Sequence, residues 1–128
     1  MIVIIAGDRD YENEDDVFDT AQWVHDEYGI THVVSGHARG VDKLGEAWAK
    51  VNKIPCKVMP ADWENLGQSA GHIRNRAMAD WVIKECAARN ETSGLIAFLR
   101  DGSRGTKNMV TTATSKGFDF ILSLRIEA

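Results

Sequence analysis

Nothing in this chain is long and apolar enough to cross a bilayer: no hydrophobic run approaches the roughly 20 residues required. Met1 leads directly into Ile2-Val3-Ile4-Ile5-Ala6. That start has no basic leader region, so no signal peptide is expected and the chain reads as cytoplasmic, with no membrane partner. Cysteine is scarce. Cys56 and Cys86 stand far apart with no Cys-x-x-Cys pair, which excludes a zinc ribbon or disulfide framework and leaves two buried free thiols as the expectation. His25, His32, His37 and His72 are scattered, and no two have metal-ligand spacing on one helix face, so no metal and no cofactor is expected. An excess of basic residues is also missing. The net charge of −4 argues against broad, sequence-independent nucleic-acid binding, which relies on Lys and Arg neutralising phosphates. Neither the dinucleotide fingerprint Gly-x-Gly-x-x-Gly after the first strand nor a P-loop Gly-Lys-Ser/Thr occurs.

What is present is a regular alternation. The 128 residues, 44% of them apolar, suffice for one domain (1–128) with a real core. Ile2–Ala6 is an unbroken aliphatic run, as in a parallel strand covered on both faces. Asn13 reads as an N-cap with Asp16 in a capping-box-like place. Val17, Ala21, Val24 and Tyr28 then recur at helical spacing, and Gly29 supplies a stop. Thr31–Ser35 is a second strand. Val41, Leu44, Trp48 and Val51 form the stripe of a second helix. Ile54–Met59 is a third strand, with Pro55 at its start. Pro60–Gln68 reads as a loop, and a long helix from about Ala70 to Arg89 presents Ala70, Ile73, Ala77 and Trp81. Gly94–Leu99 is a fourth strand. After a glycine loop, Thr106 caps a helix that buries Met109, Val110 and Ala113 and stops at Gly117. Phe118–Leu124 is the fifth strand.

Five strands joined through four helices make parallel β-α-β units. The expected fold is α/β: a single Rossmann-like, doubly wound parallel sheet of order 3-2-1-4-5 with helices on both faces. Ligands of such sheets lie beyond the carboxyl ends of the strands, where strand order reverses. That point falls between strands one and four. The loops there are Gly7-Asp8-Arg9 and Arg100–Thr106, with Ser35–Asp42 beside them.

These three loops carry the candidate ligand-binding residues. Glycines at a helix start let a phosphate approach free N–H groups; Gly7, Gly36, Gly40, Gly102 and Gly105 have that place. Arg9, Arg39 and Arg104 sit at three strand ends, and guanidinium matches phosphate geometry. In Arg74-Asn75-Arg76 the two arginines point about 200° apart on a helix. Arg74, nearer the helix start, is assigned to the site, and Arg76 to a surface or subunit contact. Ser35 and Thr106 offer a cap or a phosphate contact. Asp8 and Asp42 are the candidate catalytic carboxylates, each with an alternative as a turn or helix-start residue, and Asp101 stands at the same mouth. His37 and His72 are placed to touch a ligand. Tyr11 and Trp63 are placed to stack on a base.

Val34-Ser35-Gly36-His37-Ala38-Arg39-Gly40-Val41-Asp42 resembles the Ser-Gly-x-Ala-Arg-Gly-Ile/Val-Asp element of the SLOG superfamily, which includes the DprA/Smf proteins and the Lonely Guy phosphoribohydrolases. Ile4-Ile5-Ala6-Gly7-Asp8-Arg9-Asp10-Tyr11, Ala70-Gly71-x-x-Arg74-Asn75-Arg76-x-Met78 and Gly105-Thr106-x-x-Met109-Val110 are similar to its YspA-like branch, common in bacteria and phages. The resemblance implies a Rossmann-like domain that binds nucleotides or nucleotide-derived ligands, with Gly36, Arg39, Gly40, Asp42, Gly105, Thr106 and Arg74 lining the pocket. It also implies self-association, with Trp48, Trp63 or Trp81 as the anchors. In one place the chain departs from its relatives. Lonely Guy enzymes continue Gly-Thr-x-x-Glu with a catalytic glutamate; here that place is Met109, beside Asn108. Neither a thioether nor an amide can take a proton as a carboxylate does. The expected function is therefore a sensor or binding module for a nucleotide-derived small molecule. The alternatives are phosphoribohydrolase-like N-glycosidic cleavage through Asp8 or Asp42, and single-strand binding as in DprA, disfavoured by the net charge.

Overall fold

A computed structural model describes residues 1–126 of the chain; the last two residues of the expected domain, 127 and 128, lie outside the described residues. The elements are β1 (Ile2–Gly7), α1 (Glu14–Tyr28), β2 (His32–Ser35), α2 (Val41–Val51), β3 (Cys56–Val58), α3 (Trp63–Leu66), a 3-10 turn (Gly67–Ser69), α4 (Ala70–Arg89), β4 (Ser93–Leu99), α5 (Arg104–Ser115) and β5 (Phe120–Arg125). All strands pair in parallel in the order β3-β2-β1-β4-β5. The reversal of strand order lies between β1 and β4, as the alternation predicts.

The sheet has two cores because successive side chains of a strand point to opposite faces. Val3, Ile5, Val33, Ile96 and Phe98 pack with Val17, Ala21 and Val24 of α1 and with Val41 and Trp48 of α2. Ile2, Ile4, Val34, Leu95 and Ala97 pack with Met78, Ala79, Val82 and Cys86 of α4 and with Met109 and Ala113 of α5. The central strands β1 and β4 are thus covered on both sides, which explains their unbroken aliphatic runs. Asn13 does cap α1, its side chain accepting from the Asp16 amide at 3.1 Å. Asp16 does not close a capping box; its carboxylate accepts from the Tyr11 hydroxyl instead. Gly29 ends α1 at φ 74°, a left-handed position that glycine adopts freely.

Several sequence expectations fail at helix faces. Tyr28 and Val51, each last on its apparent stripe, are exposed, although the Tyr28 ring still meets Phe120 of β5 at 4.8 Å between centroids. On α4 the buried face is Ala70, Gly71, Asn75, Met78, Ala79, Val82 and Cys86, not Ala70, Ile73, Ala77 and Trp81. Ile73 and Ala77 face outward, because a polar residue, Asn75, occupies the inner line. Pro60–Gln68 is not all loop: Asp62 caps the short helix α3 by accepting from the Asn65 amide. Thr106 lies inside α5 and Ser103 stands at its cap position. Cys86 is buried but Cys56, on the edge strand β3, is half-buried; both are free thiols. Trp48 is buried, so it is not an exposed anchor, whereas Trp23 and Trp63 are exposed. Among the described residues no helix is long and apolar enough to cross a membrane.

Candidate functional site

A crevice of about 350 Å³ opens at the carboxyl ends of β1 and β4. Gly7, Asp8, Arg9, Arg39, Asp42, Arg74, Gly102, Arg104, Gly105 and Thr106 all line it, so residues up to 99 positions apart meet at the predicted mouth. Ser35, Gly36 and Gly40 do not line it. Asn75, Trp63, His72, Ser103, Met78 and Met109 do.

The loop between β2 and α2 packs closely against the end of β1 and against α4. Ser35 is fully buried; its hydroxyl donates to Glu46 Oε2 at 2.7 Å and accepts from the His37 amide at 3.1 Å. A Cβ on Gly36 would lie 2.6 Å from Cζ of Arg74, so only glycine lets that guanidinium reach the Gly36 carbonyl, to which Nη1 donates at 2.6 Å. Gly40 has φ 80°, and a Cβ there would meet the Arg9 carbonyl oxygen at 2.6 Å. Both requirements bring the start of α2 against the end of β1, where the Val41 amide donates to the Asp8 carbonyl at 3.3 Å.

Asp42 fastens the same junction. It is only 4% exposed, and its carboxylate accepts from the Gly7 amide at 3.3 Å and the Ala38 amide at 3.2 Å. Burial pushes its pKa up to about 6, against the pull of the Ala38 N–H, the Arg74 charge and the Gly7 N–H. Asp8 behaves oppositely. Burial acts to raise its pKa, but the Ser103 hydroxyl, the Asp10 amide and Arg100 outweigh it, holding the carboxyl below its ordinary value. The Ser103 hydroxyl donates to Asp8 at 2.6 Å and the Asp10 amide at 2.8 Å. Arg100 Nε lies 3.2 Å from the same carboxylate, an ionic contact whose N–H is not aligned for a hydrogen bond.

On the opposite wall, Ser103 is occupied by Asp8 and by the Arg100 amide, which it accepts at 3.0 Å. It therefore makes no side-chain cap for α5. The Lys107 amide bonds the Ser103 carbonyl. Among the described residues, the Gly105 and Thr106 amides just before it have no hydrogen-bond acceptor. Cβ atoms on Gly102 and Gly105 would meet nothing within 4 Å. Two N–H groups without an acceptor, the positive end of α5 and exposed Arg104 thus stand together at the edge of the crevice, an arrangement that can accept an anion.

Arg74 and Asn75 join the two walls. Arg74 Nε donates to Asn75 Oδ1 at 3.0 Å, and Asn75 Nδ2 donates to the Gly105 carbonyl and to Asn108 Oδ1, each at 3.0 Å. Burial lowers the Arg74 pKa, and Asp42 partly restores it. Asn75, 3% exposed, was missed by sequence reasoning. Its signal was its place at helical spacing with Met78, Ala79, Val82 and Cys86. Met109, 1% exposed, lines the crevice, so a thioether stands where Lonely Guy enzymes carry their glutamate. Arg9 lies over the Trp63 ring, 5.2 Å from its centroid. Arg39 makes an exposed ion pair with Asp10 at 3.0 Å. Tyr11 stacks on Phe98 and is not among the lining residues. Among the described residues, no group of three His, Cys, Asp or Glu side chains could hold a metal ion.

The sequence model of the YspA, cpYpsA-related SLOG family matches residues 1–66, a stretch that holds β1, the β2–α2 wall and Asp42. The chain belongs to this SLOG family. The Gene 61 protein of Mycobacterium phage D29 is similar across nearly the whole length, 32% identical over 126 residues that span 93% of each chain. That match extends through α4 and α5, beyond the portion covered by the family model. No solved structure matches. In this SLOG chain the loop that carries the most recognisable motif, Ser35–Asp42, packs against the end of β1 and Arg74 of α4, and the Asp42 and Lys43 amides at the start of α2, like those of Gly105 and Thr106 at α5, have no acceptor among the described residues.

Proposed function

We propose that this protein binds a nucleotide or nucleotide-derived small molecule in the crevice, as a sensor or binding module, with a phosphate seated on the start of α5. The observation that carries the reading is the uncapped α5 terminus, whose free Gly105 and Thr106 amides stand beside Arg104 at the edge of a crevice bounded by Met78, Met109 and Trp63. The free N–H groups and Arg104 suit a phosphate. The apolar surfaces suit a sugar or base.

Binding is favoured over N-glycosidic cleavage because both candidate acids are engaged. Asp42 accepts two backbone N–H groups, and Asp8 is held by Ser103, the Asp10 amide and Arg100. Both carboxylates thereby tie the walls of the crevice together, and the thioether of Met109 takes no proton. Titration calorimetry against nucleoside 5′-monophosphates and the matched nucleosides tests the proposal. Charge-assisted hydrogen bonds contribute roughly 1.5–3 kcal/mol, so the monophosphates bind at least about tenfold tighter than the nucleosides. Equal affinity for both, or no binding by any, refutes the reading. Chromatography of the same mixtures after incubation shows intact nucleotide, and release of free base would replace binding with hydrolysis.

A further inference from the structure

A second cleft, of about 270 Å³, adjoins the crevice and is lined by Arg9, Gly36, His37, Ala38, Arg39, Pro60, Ala61, Trp63 and Arg74. Arg9, Ala38, Arg39, Trp63 and Arg74 line both cavities, so the stacked Arg9–Trp63 pair stands where the two meet. Their charges differ. The first crevice mixes Arg9, Arg39, Arg74 and Arg104 with Asp8, Asp10 and Asp42. The second has Arg9, Arg39, Arg74 and His37 with no carboxylate among its lining residues; behind His37, Lys43 Nζ lies 2.8 Å from Nε2 and Glu46 Oε2 2.9 Å from Nδ1, so those two charges offset. It contains no part of the α5 start. A phosphate on the Gly105 and Thr106 amides therefore leaves the more cationic cavity unfilled.

We propose that the second cleft is a subsite for a second, separate anionic group, so that the ligand is a dinucleotide and not a mononucleotide. This rests on the nucleotide reading above. A nucleoside di- or triphosphate does not meet the requirement, because its phosphates are contiguous and stay together at α5. A phosphodiester placed beyond the first ribose reaches across the partition. The exposed Arg39–Asp10 pair, with both side chains at least 70% exposed, is weak enough to release Arg39 to that phosphate. Trp63, half exposed and backed by Gly71, whose Cβ position is 3.3 Å from the indole, offers its ring to a base in place of Arg9. Stacking of this kind tolerates any base. The second cavity alone, about 270 Å³, is below the roughly 300–1,000 Å³ typical of small-molecule sites, which also favours one ligand that occupies both.

Calorimetry on the full chain tests this with matched pairs for each of the four bases: the 5′-mononucleotide and the 5′-phosphorylated linear dinucleotide. The dinucleotide is expected to bind at least tenfold tighter for one or more bases. Ala61→Glu places a carboxylate in the second cleft alone, removes that surplus and leaves mononucleotide affinity within twofold. If its melting temperature falls, His37→Asn, which suits the left-handed backbone at φ 63°, takes its place and also loses the surplus. Equal binding of both members of every pair, or equal weakening of both by the variants, overturns the second subsite while the nucleotide reading stands. Binding of neither member for any base overturns both. A single strand of twelve nucleotides that binds tenfold tighter than the dinucleotide overturns the proposal in favour of a nucleic-acid track.

Discussion

Asp42→Asn separates the structural account of the β2–α2 wall from a catalytic one, and its effect depends on pH in a defined direction. The Asp42 carboxyl is buried, with a pKa raised from 3.8 to about 6. Between those values the native protein binds a proton that the unfolded chain has lost, so stability falls as pH rises. The slope is at most about 1.4 kcal/mol per pH unit, and the raised value amounts to about 3 kcal/mol across the window. The penalty is absent below about pH 3.8 and complete above about pH 6. Asparagine does not titrate. It retains one carbonyl acceptor for the Gly7 and Ala38 amides and loses the other, a pH-independent loss of about 1 kcal/mol. Asp8 and Glu91 act the opposite way: both are lowered, so their stabilisation is present above the unfolded values and is lost as pH falls through the folded ones. They are unchanged by the substitution and cancel in the comparison. Urea unfolding of both proteins, followed through the buried Trp48, is the assay. The stability of the wild type relative to Asp42→Asn is expected to fall by about 2 kcal/mol from pH 4 to pH 7. An advantage that is constant or grows with pH refutes the placement of Asp42 as a buried, backbone-bound carboxylate.

Other substitutions report on neighbouring joints. Asn75→Ala removes three partly buried hydrogen bonds, worth about 2–4 kcal/mol together, and lowers the melting temperature by roughly 8–16 °C; a change under about 1 kcal/mol contradicts its role as the tie between α4 and α5. Gly40→Ala forces a Cβ at φ 80° against the Arg9 carbonyl and destabilises by about 2 kcal/mol or more in thermal melts. Arg104→Ala touches only an exposed side chain, so stability stays within about 0.5 kcal/mol, while calorimetric affinity for a nucleoside monophosphate drops about tenfold or more.

The sheet was legible because its physics is written redundantly in the chain. Ile2–Ala6 and Leu95–Leu99 are apolar on both faces, as expected of a doubly covered central strand, and the intervening helices fix the parallel order. The crevice followed from topology, which brings Gly7, Arg9, Arg74 and Arg104 together from four different elements. Side-chain roles were less accessible. Reading α4 from apolar residues alone rotated its face, because Ile73 and Ala77 are compatible with solvent while Asn75 is buried by hydrogen bonds that sequence does not display. Ser35, Gly36 and Gly40 carry the recognisable motif, yet their demands come from neighbours: Glu46 at Ser35, Arg74 at Gly36 and the Asp8–Arg9 backbone at Gly40. The uncapped start of α5 follows from Ser103 bonding Asp8 and not its own helix, which no local pattern announces.

The central claim is that phosphate sits on the free amides at the start of α5, and amide chemical shifts report on that contact directly. Nitrogen-15-labelled protein titrated with a nucleoside 5′-monophosphate is expected to shift the Gly105 and Thr106 amides most, followed by Gly7–Arg9. Arg104→Ala weakens the titration without moving it elsewhere. Saturable shifts confined to the opposite end of the sheet, or none at millimolar ligand, would contradict the account.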